Sequence, residues 1–220
     1  MSYLHAPLVH SVGMVERILV TGAGGYIGRH VVKALLDDGQ DVIASDLRLN
    51  DVDDRAEHIE TNLFESGSDI YSKLGKPDVC LHMAWRDGFK HNSDNHMGDL
   101  SAHYRFIKNM LDGGLPQIAV MGTMHEVGYW EGAIDEHTPC HPASMYGIAK
   151  NALREATLML AQEHNAAVQW LHITSSETIY AVVPSFPNCC KPHMMASRPS
   201  PSRRVKISTT LSMSTNLHGK

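Results

Sequence analysis

Short apolar runs alternate along this chain with longer segments in which apolar residues recur every three or four positions. The short runs are typical of buried parallel strands, and they lie at Arg17–Val20, Asp41–Asp46, Pro77–Met83, Gln117–Met121 and Ala167–Ile173. We predict helices over Gly25–Asp38, Asn95–Leu111 and Ser144–His164. Strands that alternate with helices predict an α/β fold with a Rossmann-like, doubly wound parallel sheet.

Three glycines, Gly22, Gly25 and Gly28, stand between the first predicted strand and the first predicted helix. A tight turn needs backbone conformations that glycine adopts cheaply, and the missing side chains let a pyrophosphate approach the backbone. The helix that follows offers unpaired N–H groups and the positive end of its dipole. The motif predicts a dinucleotide-binding turn, and the alternative is an ordinary glycine-rich turn.

An acidic residue, Asp46, ends the second predicted strand. A carboxylate there can accept hydrogen bonds from both ribose hydroxyls of NAD and repel a 2′-phosphate. Arg29 and Arg48 lie nearby in the sequence and would instead favour NADP. We expect NAD, with NADP as the alternative.

A tyrosine and a lysine, Tyr146 and Lys150, stand four residues apart near the start of the third predicted helix, so they share one helical face. A lysine charge favours the phenolate and so lowers the pKa of a tyrosine, which suits it to proton transfer. Thr123 follows the strand that ends at Met121, where a hydroxyl can donate to a substrate carbonyl. Each residue alone is also compatible with a solvated helix face or a simple turn.

From about Val15 to Leu171 the chain resembles the extended short-chain dehydrogenase/reductase family, in its NAD-dependent epimerase/dehydratase group. The resemblance rests on the glycine motif with Asp46 and on four further segments, namely Val79–Ala84, Met121–Gly128, Glu136–Pro139 and Pro142–Lys150. It implies a Thr123–Tyr146–Lys150 catalytic triad, a nucleotide-sugar substrate, and hydride transfer between the nicotinamide and a sugar carbon. It also implies a possible homodimer through the helices at 95–111 and 144–164.

The resemblance further implies which residues contact the cofactor. These are Gly22, Gly25, Tyr26, Ile27, Gly28, Asp46, Asn62, Leu63, Met83, Ala84 and Lys150. In that set Asn62 replaces the family's usual aspartate near the adenine.

Three other departures from the family pattern bear on function. Asp99 stands where the family has a helical asparagine, and the segment 85–91 replaces a run of small residues and is expected to shape a particular substrate pocket. Met124 and His125 replace the acidic pair of 4,6-dehydratases. This argues against a dehydratase and leaves an epimerase or a 4-ketoreductase.

Composition excludes several other classes of protein. The chain has 220 residues and a formal net charge of -5, so it offers no basic field for nucleic acid or an anionic membrane. No apolar run is long enough to span a membrane, and the first residues do not form a signal peptide. The four cysteines and fifteen histidines have no metal-ligand spacing, so we expect no metal site and a reduced, cytoplasmic setting.

The sequence changes character near its end, because no Asp or Glu occurs from Thr178 to Lys220. We divide the chain into an N-terminal extension at 1–14, an NAD(P)-binding domain at 15–173 and an atypical tail at 174–220. The tail is interpreted either as disordered or as the product of a shifted reading frame. Most of the family's substrate lobe would then be missing, which predicts weak or absent turnover. A non-catalytic dinucleotide-binding regulatory protein and an inert truncated product are the alternatives to an enzyme.

Overall fold

In a computed structural model, the described residues are 16–65, 67–132, 138–175, 178–182 and 206–207. Within them, eight strands form one sheet in the order β3-β2-β1-β4-β5-β6-β7-β8. The strands are β1 (Arg17–Thr21), β2 (Asp41–Asp46), β3 (Glu57–Glu60), β4 (Val79–His82), β5 (Gln117–Met121), β6 (Ala167–Ser175), β7 (Thr178–Val182) and β8 (Lys206–Ile207). Neighbouring strands from β3 to β6 are parallel, whereas β7 and β8 pair antiparallel.

Four α-helices connect the parallel strands of the described chain. They are α1 (Tyr26–Asp37), α2 (Ile70–Lys73), α3 (Asn95–Asp112) and α4 (Met145–His164). Short 3₁₀ turns occupy Leu63–Glu65 and Met124–Glu126. The predicted α/β doubly wound sheet is confirmed, and each predicted strand and helix lies within two residues of its expected bounds.

The sequence pattern did not predict β3 and α2. β3 is an edge strand in which only Ile59 is shielded from solvent, so it has no apolar run to reveal it. The α2 helix has 4 residues, which is too short to show a helical period. Both elements form because neighbouring parts of the fold provide their partners.

The predicted tail at 174–220 contains β7 and β8, which extend the sheet beyond β6. Its first two residues, Thr174 and Ser175, end β6. The rest of that tail and the N-terminal extension at 1–14 lie outside the described residues. The two interpretations of the tail, disorder and a shifted reading frame, therefore stay predictions.

Buried side chains cover both faces of the sheet. Leu19, Ile43 and Ile118 belong to a cluster with buried residues of α3 and α4, such as Phe106. Val20 of β1 and Val42 and Ala44 of β2 form a second cluster with Val32 of α1 on the opposite face. Burial on both faces explains why the strands read as continuous apolar runs rather than as an alternating pattern.

The carboxyl ends of three adjacent strands lie along one edge of the sheet. Thr21, the last residue of β1, is paired in register with His82, the last residue of β4. β5 lies beside β4 and ends at Met121. The segments after these strands therefore meet at this edge, where open parallel sheets bind their ligands.

Candidate active site

The glycine turn after β1 is tightly packed against the segment after β4. Gly22 has φ +70, and a Cβ there would lie 2.6 Å from the backbone nitrogen of Ala84. A Cβ at Gly28 would overlap the carbonyl oxygen of Gly22, whereas one at Gly25 would lie 3.1 Å from that oxygen. Two of the three glycines are thus required by close approach, and the turn leaves the start of α1 unblocked. These residues fit the pyrophosphate of a dinucleotide.

Asp46 closes the same turn from the neighbouring strand. Its carboxylate accepts hydrogen bonds from the backbone N–H of Gly24 at 3.0 Å and of Leu47 at 2.7 Å. A Cβ at Gly24 would overlap the carbonyl oxygen of Arg48. Gly24 is thus a further required glycine, which the sequence analysis did not single out.

The other residues predicted to contact a cofactor take several different positions. Tyr26 and Ile27 at the start of α1 are exposed, whereas the side chain of Leu63 is 7% exposed and packs in the core. Asn62 uses its side chain within its own turn, accepting from the Phe64 N–H and donating to Glu65. Any cofactor contact at Leu63 would therefore involve its backbone.

Met83 and Ala84 continue from β4 directly beneath the glycine turn. Their backbone N–H groups donate to the Thr21 hydroxyl at 3.2 Å and 3.4 Å. The structure thus brings together the two segments after β1 and β4 that were predicted to bind a cofactor.

Thr123 and Tyr146 meet at the same edge of the sheet. Thr123 is 7% exposed and begins the turn after β5, and its side chain acts to lower the pKa of the Tyr146 phenol. Tyr146 is half-buried at the start of α4, and its N–H donates to the carbonyl of His91 at 2.9 Å. Ser144 caps this helix by accepting from the Gly147 N–H at 3.2 Å.

Lys150 lies one turn further along α4 and is 2% exposed. Its ammonium donates to the carbonyl oxygen of Met121 at 2.6 Å and lies 4.0 Å from the ring centre of Trp85. Burial lowers the pKa of Lys150 to about 7, and the nearby charge of Glu126 opposes that change. Burial of this kind disfavours the charged amine.

Burial raises the pKa of Tyr146, and the hydrogen bond from Thr123 opposes that increase. The sequence predicted instead that Lys150 would favour the phenolate. In the structure the Lys150 ammonium contacts Met121 and Trp85, and its effect on the Tyr146 phenolate stays a prediction.

Four rings lie around Tyr146, and two of them, Trp85 and His91, belong to the segment that was expected to shape a substrate pocket. The ring centres of Trp85 and His91 each lie 6.0 Å from that of Tyr146, and those of His96 and His125 lie 5.1 Å and 5.6 Å away. His96 is held in place because it accepts from the Trp85 indole at 3.1 Å and donates to the carbonyl of Lys90 at 2.9 Å. The sequence identified the segment but not these contacts.

A buried chain of side chains joins the glycine turn to this ring cluster. Because the Thr21 hydroxyl already accepts two N–H groups, its proton is available for Nδ1 of His82, at 2.8 Å. His82 then donates from Nε2 to Nδ1 of His103 at 3.0 Å, and His103 stacks on Trp85 at 4.2 Å between ring centres. The glycine turn and Tyr146 thus belong to one continuous packed unit.

Asp99 is not a lone buried carboxylate, because it forms a bidentate ion pair with Arg86. In the parts of the chain that the structure describes, no group of three or more His, Cys, Asp or Glu side chains is arranged to hold a metal ion. None of the helices described there combines the length and apolar character needed to cross a bilayer.

The sequence analysis missed one buried acidic residue next to Thr123. Glu126 is 0% exposed and accepts hydrogen bonds from the Thr123 N–H at 2.8 Å and the Trp170 indole at 2.9 Å. A threonine followed three residues later by a glutamate is the signature of a capping box, and that spacing was visible in the sequence.

Comparison with known proteins places this geometry in context. A sequence model described as the NAD dependent epimerase/dehydratase family matches residues 18–182. The chain is 43% identical over 152 residues to dTDP-6-deoxy-L-talose 4-dehydrogenase (NAD(+)) of Aggregatibacter actinomycetemcomitans, a match that covers 63% of this chain and 53% of that protein. The chain spans about half the length of the curated relatives it matches.

Solved structures share the fold. A UDP-glucose 4-epimerase of Thermotoga maritima, solved with UDP-glucose, superposes with a TM-score of 0.61 at 23% identity over 71% of this chain and 54% of that one. MoeE5, solved with UDP-glucose and NAD, gives a TM-score of 0.59 at 24% identity over 70% of this chain and 52% of that one.

Proposed function

Because this chain belongs to the NAD dependent epimerase/dehydratase family, we propose that it oxidises or reduces a sugar carbon of a nucleotide sugar, with NAD as cofactor. Thr123, Tyr146 and Lys150 are the proposed catalytic residues. The single observation that carries the proposal is that the turn beginning at Thr123 follows β5 at the carboxyl edge of the sheet that also holds the glycine turn, where Lys150 of α4 donates to the Met121 carbonyl.

The proposed chemistry divides among the three side chains. The nicotinamide ring, when bound, accepts or supplies the hydride. Tyr146 takes the proton of the sugar hydroxyl during oxidation and returns it during reduction. Thr123 orients the same oxygen through its hydroxyl. Lys150 stabilises the phenolate and holds the cofactor ribose once it leaves the Met121 carbonyl.

Similarity to a named relative favours a 4-dehydrogenase over an epimerase as the activity of this chain. The relative at 43% identity is named as a dehydrogenase acting at carbon 4 of a dTDP-linked 6-deoxysugar. The Met124–His125 pair does not supply the acidic groups that a 4,6-dehydration requires, in line with the sequence analysis. An epimerase of UDP-sugars is the alternative within the same active-site chemistry.

NAD is favoured over NADP by the position of Asp46. Its carboxylate sits on the glycine turn at the end of β2, where it would repel a 2′-phosphate. Titration of the chain with NAD and NADP, followed by tryptophan fluorescence, tests the preference. Tighter binding of NADP would contradict it.

A dinucleotide-binding regulatory protein is a second candidate with a specific observation in its favour. The Trp85 ring lies over Lys150, which is 2% exposed, so a cofactor ribose reaches this amine only if Trp85 moves. A protein that keeps this arrangement would bind a dinucleotide without transferring hydride.

The two candidates are separated by one assay on the purified 220-residue chain. NAD and dTDP-6-deoxy-L-talose are added in turn, with UDP-glucose as the comparison sugar, and binding and nicotinamide absorbance are recorded. An enzyme produces NADH only when the sugar is present, and a regulatory protein binds NAD without an absorbance change. Absence of both NAD binding and NADH formation would contradict either function. The rate of NADH formation tests the predicted weak turnover.

We also propose a homodimer formed through α3 and α4. These helices border a shallow groove of about 360 Å³, lined by small and apolar residues that include Leu100, Ala152 and Ala156. Met97 and Met159 are large exposed apolar side chains on the same two helices. Sedimentation of the chain and of Ala156→Arg tests the assignment, and a chain that is monomeric at every concentration would overturn it.

A further inference from the structure

The amine of Lys150 is enclosed between a backbone carbonyl and an aromatic ring. It donates to the carbonyl oxygen of Met121 at 2.6 Å, and it lies 4.0 Å from the centre of the Trp85 ring. Trp85 is itself partly exposed, whereas Lys150 is 2% exposed. The Trp85 ring therefore shields this amine from solvent, in a cation–π contact of the kind that tryptophan makes best.

Two neighbouring histidines hold Trp85 over the amine. The indole N–H donates to Nδ1 of His96 at 3.1 Å, and the ring stacks on His103 with the ring centres 4.2 Å apart. His96 is 1% exposed, and its Nε2 lies 2.9 Å from the carbonyl oxygen of Lys90. The ring position is thus well defined in the free chain, although each contact that holds it is individually weak.

The backbone on both sides of Trp85 is fixed to other elements. The N–H groups of the two preceding residues donate to the Thr21 hydroxyl at 3.2 Å and 3.4 Å. The next residue, Arg86, forms a bidentate ion pair with Asp99 of α3. We therefore expect Trp85 to leave Lys150 by a change of side-chain rotamer, while the segment that carries it stays in place.

Trp85 lies between the glycine turn and Lys150. It follows Ala84, whose backbone nitrogen would be 2.6 Å from a Cβ at Gly22, and its ring centre is 6.0 Å from that of Tyr146. A dinucleotide whose pyrophosphate sits on the glycine turn meets this ring before its ribose reaches Lys150. In the free chain the ring therefore takes the place that the proposed function gives to the ribose.

We propose that Trp85 gates the access of the cofactor to Lys150: its ring covers the amine in the free chain and rotates away when NAD binds. The proposal rests on the proposed function, which assigns the cofactor ribose to Lys150. Because the contacts of the ring must break before the ribose binds, NAD binds less tightly than it would to a chain without this ring. The closed state of the gate is measurable without any cofactor.

The first measurement is the rate at which Lys150 is chemically modified in the full, cofactor-free chain, read by mass spectrometry of its peptide. The bulky amine reagent trinitrobenzenesulfonate is compared with the small reagent formaldehyde in the presence of borane. In Trp85→Leu we expect the bulky reagent to modify Lys150 about tenfold faster, and the small reagent to gain less, because packed local structure slows modification. Equal acceleration of both reagents would reflect a change in the ionisation of the amine and would contradict the gate.

Trp130→Leu is the matched control, because Trp130 is a 44% exposed tryptophan on the loop after the 3₁₀ turn Met124–Glu126. It is expected to leave the modification rate of Lys150 unchanged. The exposed Lys33 of α1 serves as the internal standard for each reagent.

A second variant keeps the test decisive if Trp85→Leu does not fold. Trp85→Phe keeps a ring beside His103 but has no N–H for His96, and it is expected to accelerate the bulky reagent about threefold. An unchanged Lys150 rate in either folded Trp85 variant overturns the proposal.

The second measurement follows the ring itself by ¹⁹F NMR of the wild-type chain labelled with 5-fluorotryptophan, with the Trp85 signal assigned by its loss in Trp85→Phe. Addition of NAD is expected to move this signal and to leave that of Trp170, which is buried on β6. NAD is also expected to bind Trp85→Leu about threefold more tightly than the wild type.

NAD binding with an unmoved Trp85 signal, or with unchanged or weaker affinity in Trp85→Leu, overturns the proposal. If NAD binds none of these proteins, the proposed function fails instead. The modification rates of Lys150 then decide by themselves whether Trp85 closes access to the amine.

Discussion

Tyr146 carries the proposed chemistry, and its surroundings decide when it can act. Burial raises the pKa of its phenol, and only the Thr123 side chain opposes that change. A phenol in this state gives and takes a proton best when a cofactor or substrate adds further stabilisation. We therefore expect Tyr146 to transfer a proton in the bound state rather than in the free chain.

Removing the phenol oxygen separates proton transfer from binding. We expect Tyr146→Phe to reduce sugar-dependent NADH formation by about 10² or more, because general acid–base catalysis typically contributes that much. NAD binding is expected to remain, since the hydroxyl does not shape the glycine turn. The measurement is nicotinamide absorbance together with fluorescence titration.

The matched control is Tyr71→Phe, which removes a phenol oxygen that donates to the carbonyl of Pro77 at the opposite end of β4. Its NADH formation is expected to equal that of the wild type. Equal activity of Tyr146→Phe and the wild type would rule out Tyr146 as the proton-transfer group.

The glycine turn gives a steric prediction. Ala at Gly28 would place a methyl group on the carbonyl oxygen of Gly22 and 2.8 Å from the Cα of Ala23. We expect Gly28→Ala to lower the free energy of unfolding by about 1–3 kcal/mol and to weaken NAD binding at least tenfold. Denaturant unfolding and NAD titration measure the two effects.

Gly98 provides the contrast, because a Cβ there meets nothing within 4 Å on the exposed surface of α3. Gly98→Ala is expected to raise the free energy of unfolding by up to about 1 kcal/mol, since alanine favours helix. Similar destabilisation by both substitutions would show that the close approach at Gly28 is unimportant.

The start of α4 shows how a single element positions the site. Ser144 caps the helix, Tyr146 and Lys150 follow on one face, and the helix ends at His164, before Asn165 with φ 52. Two backbone contacts tie the first turn to the loop before α3, through the carbonyl of His91 and the side chain of Asn92. The position of the phenol therefore depends on this first turn staying formed.

Loss of the cap should loosen that turn. We expect Ser144→Ala to lower the free energy of unfolding by about 1 kcal/mol, because one orphan N–H of the helix loses its acceptor. Amide exchange at Gly147 is expected to increase. Ser101→Ala, in the middle of α3, is the control, which should neither lower the free energy of unfolding nor change exchange at Gly147. Protection at Gly147 in Ser144→Ala that equals the wild type would count against the role of the cap.

Across the whole molecule, the buried histidine pair makes stability depend on pH. Burial lowers the pKa of His82 to about 3, and burial together with His82 lowers that of His103 as well. Free histidines titrate near 6.5. Below that pH the unfolded chain binds protons that the folded chain does not, so the free energy of unfolding decreases as pH falls.

We expect a loss of up to about 1.4 kcal/mol per pH unit for each buried histidine between about pH 6 and 4. His103→Phe keeps a ring against Trp85 and Phe64 but cannot be protonated. It is expected to flatten the dependence, at a cost of about 1–3 kcal/mol for the unpaired N–H of His82. Urea unfolding at a series of pH values measures the slope.

His58 is an exposed histidine and serves as the comparison in this series. His58→Gln is expected to keep the wild-type slope between pH 6 and 4. If His103→Phe kept that slope too, the pair would not be the source of the acid sensitivity.

How far the sequence predicted the fold depended on whether each element carries its own signal. β1, β2, β4 and β5 are largely buried and, like β6, show apolar runs, and α1, α3 and α4 have clear boundaries. β3 and α2 were not predicted, because an exposed edge strand and a single helical turn show no periodic pattern of apolar residues.

The candidate site divides in the same way. Gly22, Gly25, Gly28 and the Tyr146–Lys150 pair were predictable because each belongs to a spacing that local chemistry requires. The contacts of Trp85 with Lys150 and of Glu126 with Trp170 were not predictable, since they join residues that are distant in the sequence. Only the capping-box spacing of Glu126 was visible in the sequence.

By itself, the sequence determined the order of strands and helices, the glycine turn and the helical face shared by Tyr146 and Lys150, because each follows from interactions between residues close along the chain. Tertiary structure alone decided that Lys150 is held by Met121 and Trp85, and that Glu126 is buried behind Thr123. The physical reason is that burial and pairing of a charge depend on which distant segments pack around it, and no local spacing encodes that packing.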